Sequence, residues 1–101
     1  MYTHAQRRGD LDVQELRRLA GAWLRELREN RKLSQRDLAR LVGAEYYTFI
    51  SQLETGRGRV PPDRYADWAA ALGVNPRDFV QKLLSYYDPV TYGFLFAEQD
   101  G

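Results

Sequence analysis

The sequence predicts an all-α fold, a bundle of five helices followed by a short aromatic extension at the C-terminus. Gly and Pro fall at intervals of about 10–20 residues and punctuate the chain into helix-length pieces. Within those pieces the apolar residues recur at helical spacing, and no stretch alternates apolar and polar residues long enough to make a strand. At 101 residues there is chain for one compact core.

Each element follows from local signals. The first helix is expected over about Val13–Arg31, with Asp12 as N-cap and Glu15 completing a capping box. Val13, Leu16, Ala20, Trp23, Leu24 and Leu27 form its apolar stripe, and Arg17, Arg18, Arg25 and Arg28 lie largely off it. Lys32-Leu33 breaks the pattern. Ser34 then reads as a second N-cap answered by Asp37, with Leu38, Ala39, Leu41 and Val42 facing inward and Gly43 closing the helix at positive φ. A third helix is expected over Glu45–Glu54, with Tyr46, Phe49, Ile50 and Leu53 on one side and Gly56 as its stop. Two short helices joined by a tight Gly-containing turn make a helix-turn-helix. After the loop 56–62, a fourth helix starts near Pro62 or Asp63 and buries Tyr65, Trp68, Ala69 and Leu72. Asn75 caps a fifth, with Pro76 in its first position and Phe79, Val80, Leu83 and Leu84 inward. Asp88-Pro89 opens a last short helical segment, Val90–Phe96, before a polar tail, Ala97–Gly101. The expected organisation is a flexible arm over 1–11, a globular unit over 12–85 and an aromatic segment with its tail over 86–101.

Composition narrows the function. The net charge of +1 conceals an uneven distribution. Met1 to Arg59 carries 12 Lys/Arg against 8 Asp/Glu, and Val60 to Gly101 carries 3 against 6. A basic half joined to a mildly acidic one is suited to meeting a polyanion with one face. The chain lacks cysteine, so disulfides and thiolate metal sites are excluded, and its one histidine, His4, stands in the expected arm. Nothing in the sequence groups an acid, a base and a nucleophile. The expectation is a non-enzymatic protein with no metal and no cofactor. No apolar run approaches a membrane span or a signal peptide, which predicts an intracellular protein.

Leu33-Ser34-Gln35-Arg36-Asp37-Leu38-Ala39 makes the reading specific. With Leu24-Arg25-Glu26-Leu27-Arg28 before it, and Ile50-Ser51-Gln52-Leu53-Glu54-Thr55-Gly56 and Ala71-Leu72-Gly73-Val74 after it, the chain resembles the Cro/cI-type (XRE) helix-turn-helix family from about Leu24 to Leu84. The resemblance implies a lambda-repressor-like five-helix domain that binds double-stranded DNA in the cytoplasm, at the nucleoid of a bacterium or phage. In such folds the second helix of the pair enters the major groove and the first abuts the phosphates.

The resemblance also implies roles for individual residues. Gln35, at a helix N-terminus, would clamp a phosphate, which suits the exposed N–H groups and positive dipole end there. Tyr47, Thr48, Ser51 and Gln52 would point outward to the bases; glutamine suits the N6/N7 edge of adenine. Tyr46 is the more inward of the two tyrosines in this reading. Arg57 and Arg59 in the following loop, and Arg36 and Lys32 less directly, would contact phosphates. Arg28 and Glu54 would form a buried ion pair that holds the third helix, so Glu54 is structural. Gly43 to Gly56 holds one residue more than the common family spacing, which either lengthens the turn or extends the helix backward.

The segment from Ser85 to Phe96 is unusually aromatic for a chain end. It either folds back over the Trp23 and Trp68 side of the core or builds a two-fold interface, and the second is the stronger expectation. Tyr87, Tyr92, Phe94, Leu95 and Phe96 are the interface candidates. The leading expectation is a homodimeric repressor reading a pseudo-palindromic operator. The alternatives are an antitoxin-like protein whose C-terminal segment binds a partner protein, and a pure protein-interaction module.

Overall fold

The computed structural model describes residues 2–96, with side chains from Val13 onward. The side chain of His4 and the expected tail 97–101 therefore lie outside the described residues. The described residues form six helices: α1 (Tyr2–Asn30), α2 (Gln35–Leu41), α3 (Thr48–Glu54), α4 (Tyr65–Leu72), α5 (Pro76–Tyr87) and α6 (Pro89–Leu95). A single 3₁₀ turn, Pro62–Arg64, leads into α4. No strand occurs among the described residues, and the all-α architecture is as expected.

Local chemistry sets most boundaries. Ser34 caps α2 in a full capping box: its Oγ accepts from the Asp37 N–H at 2.9 Å, and Asp37 Oδ2 accepts from the Ser34 N–H at 2.9 Å. Asn75 Oδ1 accepts from the Asp78 N–H and starts α5 with Pro76 behind it. Asp88 does the same for α6 through Thr91. Gly43 adopts φ +74° after α2. Lys32 takes the left-handed conformation, φ 61°, where α1 gives way to α2.

Three expectations are corrected. The first helix begins at Tyr2, so Asp12 lies inside it and the residues expected as an arm continue it. A cap motif permits a helix start without enforcing one, and little between Tyr2 and Asp12 except Gly9 opposes helix. The third helix begins at Thr48, not at Glu45, and Tyr46 is 65% exposed. The chain is still turning at Tyr46, which lies outside the helical register that would have buried it. Leu41 is likewise exposed, on the last turn of α2 just before the chain turns away.

Leu24, Leu38, Ile50, Leu53, Val60, Trp68, Leu72, Phe79 and Leu83 are the large side chains with almost no solvent contact. They come from α1 to α5 and the loop before α4, so every helix of the central unit is held by a shared core. α1 crosses the last turn of α3 closely. A Cβ on Gly21 would lie 2.5 Å from the Glu54 carbonyl oxygen, so glycine is what allows the two backbones to meet. That contact fixes the end of α3 against the longest helix.

Candidate nucleic-acid interface

The site is built around α3. Ile50 and Leu53 are buried and Phe49 packs partly against the core, which leaves the opposite side of the helix outward. Thr48 and Gln52 are exposed one turn apart, Tyr47 stands at the N-cap with 41% exposure, and Ser51 is half-buried between them. These four expected residues share one face. Thr55 extends it by another turn; it is exposed, and its Oγ1 donates to the Ser51 and Gln52 carbonyls, which closes the helix end. In the sequence Thr55 stands inside the Ile50–Gly56 segment that carries the family resemblance, with no role of its own.

Two cationic side chains of the expected set behave differently. Arg36 lies over the Tyr47 ring at 4.5 Å, so the start of α2 and the start of α3 are joined by a cation–π contact. Arg59 lies over the Tyr87 ring at 4.9 Å, on the far side of the loop. Arg57 is exposed in the same loop, next to Gly56 and Gly58. Lys32 is exposed at the end of α1.

The end of α3 is anchored by a buried network. Arg28 Nε donates to Glu54 Oε2 at 2.6 Å and Arg28 Nη2 donates to Glu54 Oε1 at 3.1 Å. The two side chains are 10% and 4% exposed. Arg28 Nη1 also donates to the Leu33 carbonyl at 2.8 Å, which ties down the α1–α2 junction. The hydrogen bond to Glu54 is the main reason that the Arg28 guanidinium is held still more firmly in its charged form; burial opposes it. Gln35 joins the same network, its Nε2 donating to Glu54 Oε1 at 3.0 Å. Spacing alone did not indicate that bond. It orients the Gln35 amide, whose Nε2 carries a second N–H, at the first position of α2.

One carboxylate thus fixes three elements. α1 reaches it through Arg28, α2 through Gln35, and α3 carries it. A groove of about 390 Å³ runs beside α3, lined by the 42–46 turn, Phe49, Gln52, Pro61, Arg64 and Trp68. The 42–46 turn forms one wall of it.

The aromatic C-terminal segment divides. Tyr86 packs on Trp23 at 6.0 Å, and Trp23 stacks on Phe79 at 5.5 Å. Tyr87, expected at an interface, is instead buried at 8% exposure, where its hydroxyl accepts from the Val60 N–H at 3.1 Å. Its ring completes the core between α5 and the 56–61 loop, and that removes it from the interface candidates. Tyr92 and Phe96 are half-buried and pack on each other at 5.6 Å. Phe94 and Leu95 are exposed at 82% and 64%, with Val90 beside them at 69%. The segment therefore folds back on the core up to Tyr87 and leaves Val90, Phe94 and Leu95 exposed along α6.

Among the described residues no group of three or more His, Cys, Asp or Glu side chains is placed to hold a metal ion. No helix among them is long and apolar enough to cross a membrane. Compared with known families, the chain matches a helix-turn-helix domain over residues 19–83, well over half its length. A search of curated proteins gives no match.

Proposed function

Because the chain belongs to the XRE-like helix-turn-helix family of DNA-binding regulators, we propose that it is a sequence-specific repressor of transcription that lays α3 in the major groove of a pseudo-palindromic operator. The observation that carries this reading is the outward polar face of Tyr47, Thr48, Ser51 and Gln52 on a helix whose end is fixed by the Arg28–Glu54–Gln35 network. A reading helix must hold its side chains still against base edges, and a short helix of seven residues needs tertiary anchoring to do so. Gln52 and Thr48 supply the base contacts, and Ser51 and Tyr47 flank them. Gln35 turns its second amide N–H toward a phosphate while Glu54 holds the first. Arg36, Arg57 and Arg59 contact neighbouring phosphates and set the register without reading sequence.

The protein acts as a homodimer through α6, where Val90, Phe94 and Leu95 offer an apolar face. Two copies related by a two-fold axis then present two reading helices about one DNA turn apart. Light scattering on a Phe94→Glu/Leu95→Glu variant tests the interface. Monomers are expected, and an unchanged dimer places the interface elsewhere. A wild-type protein that is itself monomeric would transfer this face to a different partner protein.

DNA binding is tested by titrating a duplex at several salt concentrations with wild type and Arg57→Ala/Arg59→Ala. The variant is expected to lose affinity for all duplexes alike and to flatten the log–log salt slope by about 0.9 per lost phosphate contact. An unchanged slope removes both arginines from the phosphate set.

A further inference from the structure

A cationic groove lies where α1 passes the end of α3. It has a volume of about 440 Å³ and is lined by Val13, Gln14, Arg17, Arg18, Thr55, Gly56 and Arg57. Three of these side chains are guanidinium groups, and none of the described residues lining it is a carboxylate. Glu15 is nearby, paired with Arg18 at 2.5 Å in an exposed contact. Arg17 Nε is shielded from solvent and has no hydrogen-bond partner among the described residues. A shielded donor without an acceptor is costly, and such an arrangement is rarely kept unless something supplies the acceptor.

The two walls are locked together. Gly56 has φ +85°, and a Cβ there would lie 2.9 Å from Arg18 Cα and 3.0 Å from its nitrogen. The loop that carries Arg57 therefore lies directly on the turn of α1 that carries Arg17 and Arg18. Arg17 and Arg18 precede the matched span 19–83, so the N-terminal part of α1 adds this wall to the helix-turn-helix unit.

We propose that Arg17, Arg18 and Arg57 form a second phosphate-binding site, which takes a backbone phosphate of the same DNA strand beyond the end of α3. Guanidinium groups suit paired phosphate oxygens, and a turn of the Arg17 side chain toward an oxyanion in the groove gives its shielded Nε the acceptor it lacks. Thr55 and Arg57 connect the groove to the reading face, so a duplex seated on Gln52 runs on toward it. This inference rests on the proposed DNA binding.

The test uses the full chain. Salt dependence of duplex binding is measured for wild type, Arg17→Gln/Arg18→Gln and Arg17→Lys/Arg18→Lys. In parallel, the Arg17 Nε–Hε resonance of the wild-type protein is followed by NMR while duplex or inorganic phosphate is added. The proposal expects the glutamine pair to flatten the log–log slope by about 0.9 per contact and the lysine pair to keep most of it. It also expects duplex to shift the Arg17 resonance where millimolar phosphate does not. A wild-type slope in the glutamine pair, or an Arg17 resonance unmoved by a bound duplex, overturns the proposal. The NMR readout serves even if the glutamine pair fails to fold. A shift of equal size with phosphate alone assigns the groove to free phosphate and overturns the DNA source. If the wild-type protein binds no duplex at all, the DNA reading itself fails and this inference falls with it.

Discussion

Replacing Arg28 with methionine removes the only cation paired with the Glu54 carboxylate among the described residues. Glu54 is 4% exposed and receives two hydrogen bonds from Arg28, at 2.6 and 3.1 Å, against one from Gln35. The substitution leaves a buried charge with a single neutral donor and also strips the Leu33 carbonyl of its guanidinium contact. Breaking such a pair on one side costs about 3–5 kcal/mol. Against a total stability of roughly 5–15 kcal/mol for a domain of this size, that is a large fraction. At about 4–8 °C per kcal/mol, the midpoint of thermal unfolding should fall by more than about 10 °C. Arg28→Met/Glu54→Met should recover much of the loss, because an apolar pair leaves no unpaired charge. Urea unfolding followed by circular dichroism reads wild type and both variants. A single-variant loss below about 1 kcal/mol would put this pair with ordinary surface bridges and refute the anchoring role.

Four further outcomes are expected. Gly21→Ala should destabilise the protein by about 1–3 kcal/mol through overpacking against the Glu54 carbonyl, although alanine is the better helix former by about 1 kcal/mol; calorimetry gives the sign. Tyr87→Phe leaves the buried Val60 N–H without its acceptor and should cost about 1–3 kcal/mol in chemical unfolding. The same variant should lose an alkaline limb, because burial raises the Tyr87 pKa above 10.0 and wild-type stability falls as pH climbs past that value. Hydrogen bonds from Ser34 lower Asp37, and those from Thr91 lower Asp88, so each adds stability that is present above about 3.8 and disappears as pH falls through the lowered value. Asp37→Asn should shrink that acid limb in a pH series of thermal melts.

The parts of the fold legible in the sequence are those where one residue type solves one local problem. Ser34 with Asp37, Asn75 with Pro76, and Asp88 ahead of Pro89 each satisfy orphan N–H groups at a helix start, and each caps the helix it was expected to cap. The Arg28–Glu54 pair, implied by the family resemblance, forms with both carboxylate oxygens engaged. What could not be read depended on three-dimensional neighbours. Asp12 and Glu15 look like a helix start, yet α1 runs through them from Tyr2. Tyr46 shares helical spacing with Phe49, Ile50 and Leu53, but spacing counts only inside a helix, and the chain is still turning at that point. Tyr87 stands in an aromatic run that reads as surface until α5 sets its hydroxyl against Val60. Gly21 in mid-helix signals a close approach, but it does not say that the end of α3 is what approaches. Gln35 and Glu54 are far apart in sequence, and only the crossing of α2 and α3 joins them.

The central claim is that α3 reads DNA sequence, and selection from a pool of random duplexes tests it most directly. Wild-type protein should enrich a pseudo-palindromic site with half-sites about one DNA turn apart. Gln52→Ala should relax the preference at one position in each half-site, with little change in the salt slope. A selected pool no different from the starting one, or an enriched site that Thr48→Ala and Gln52→Ala both leave unchanged, would contradict the account.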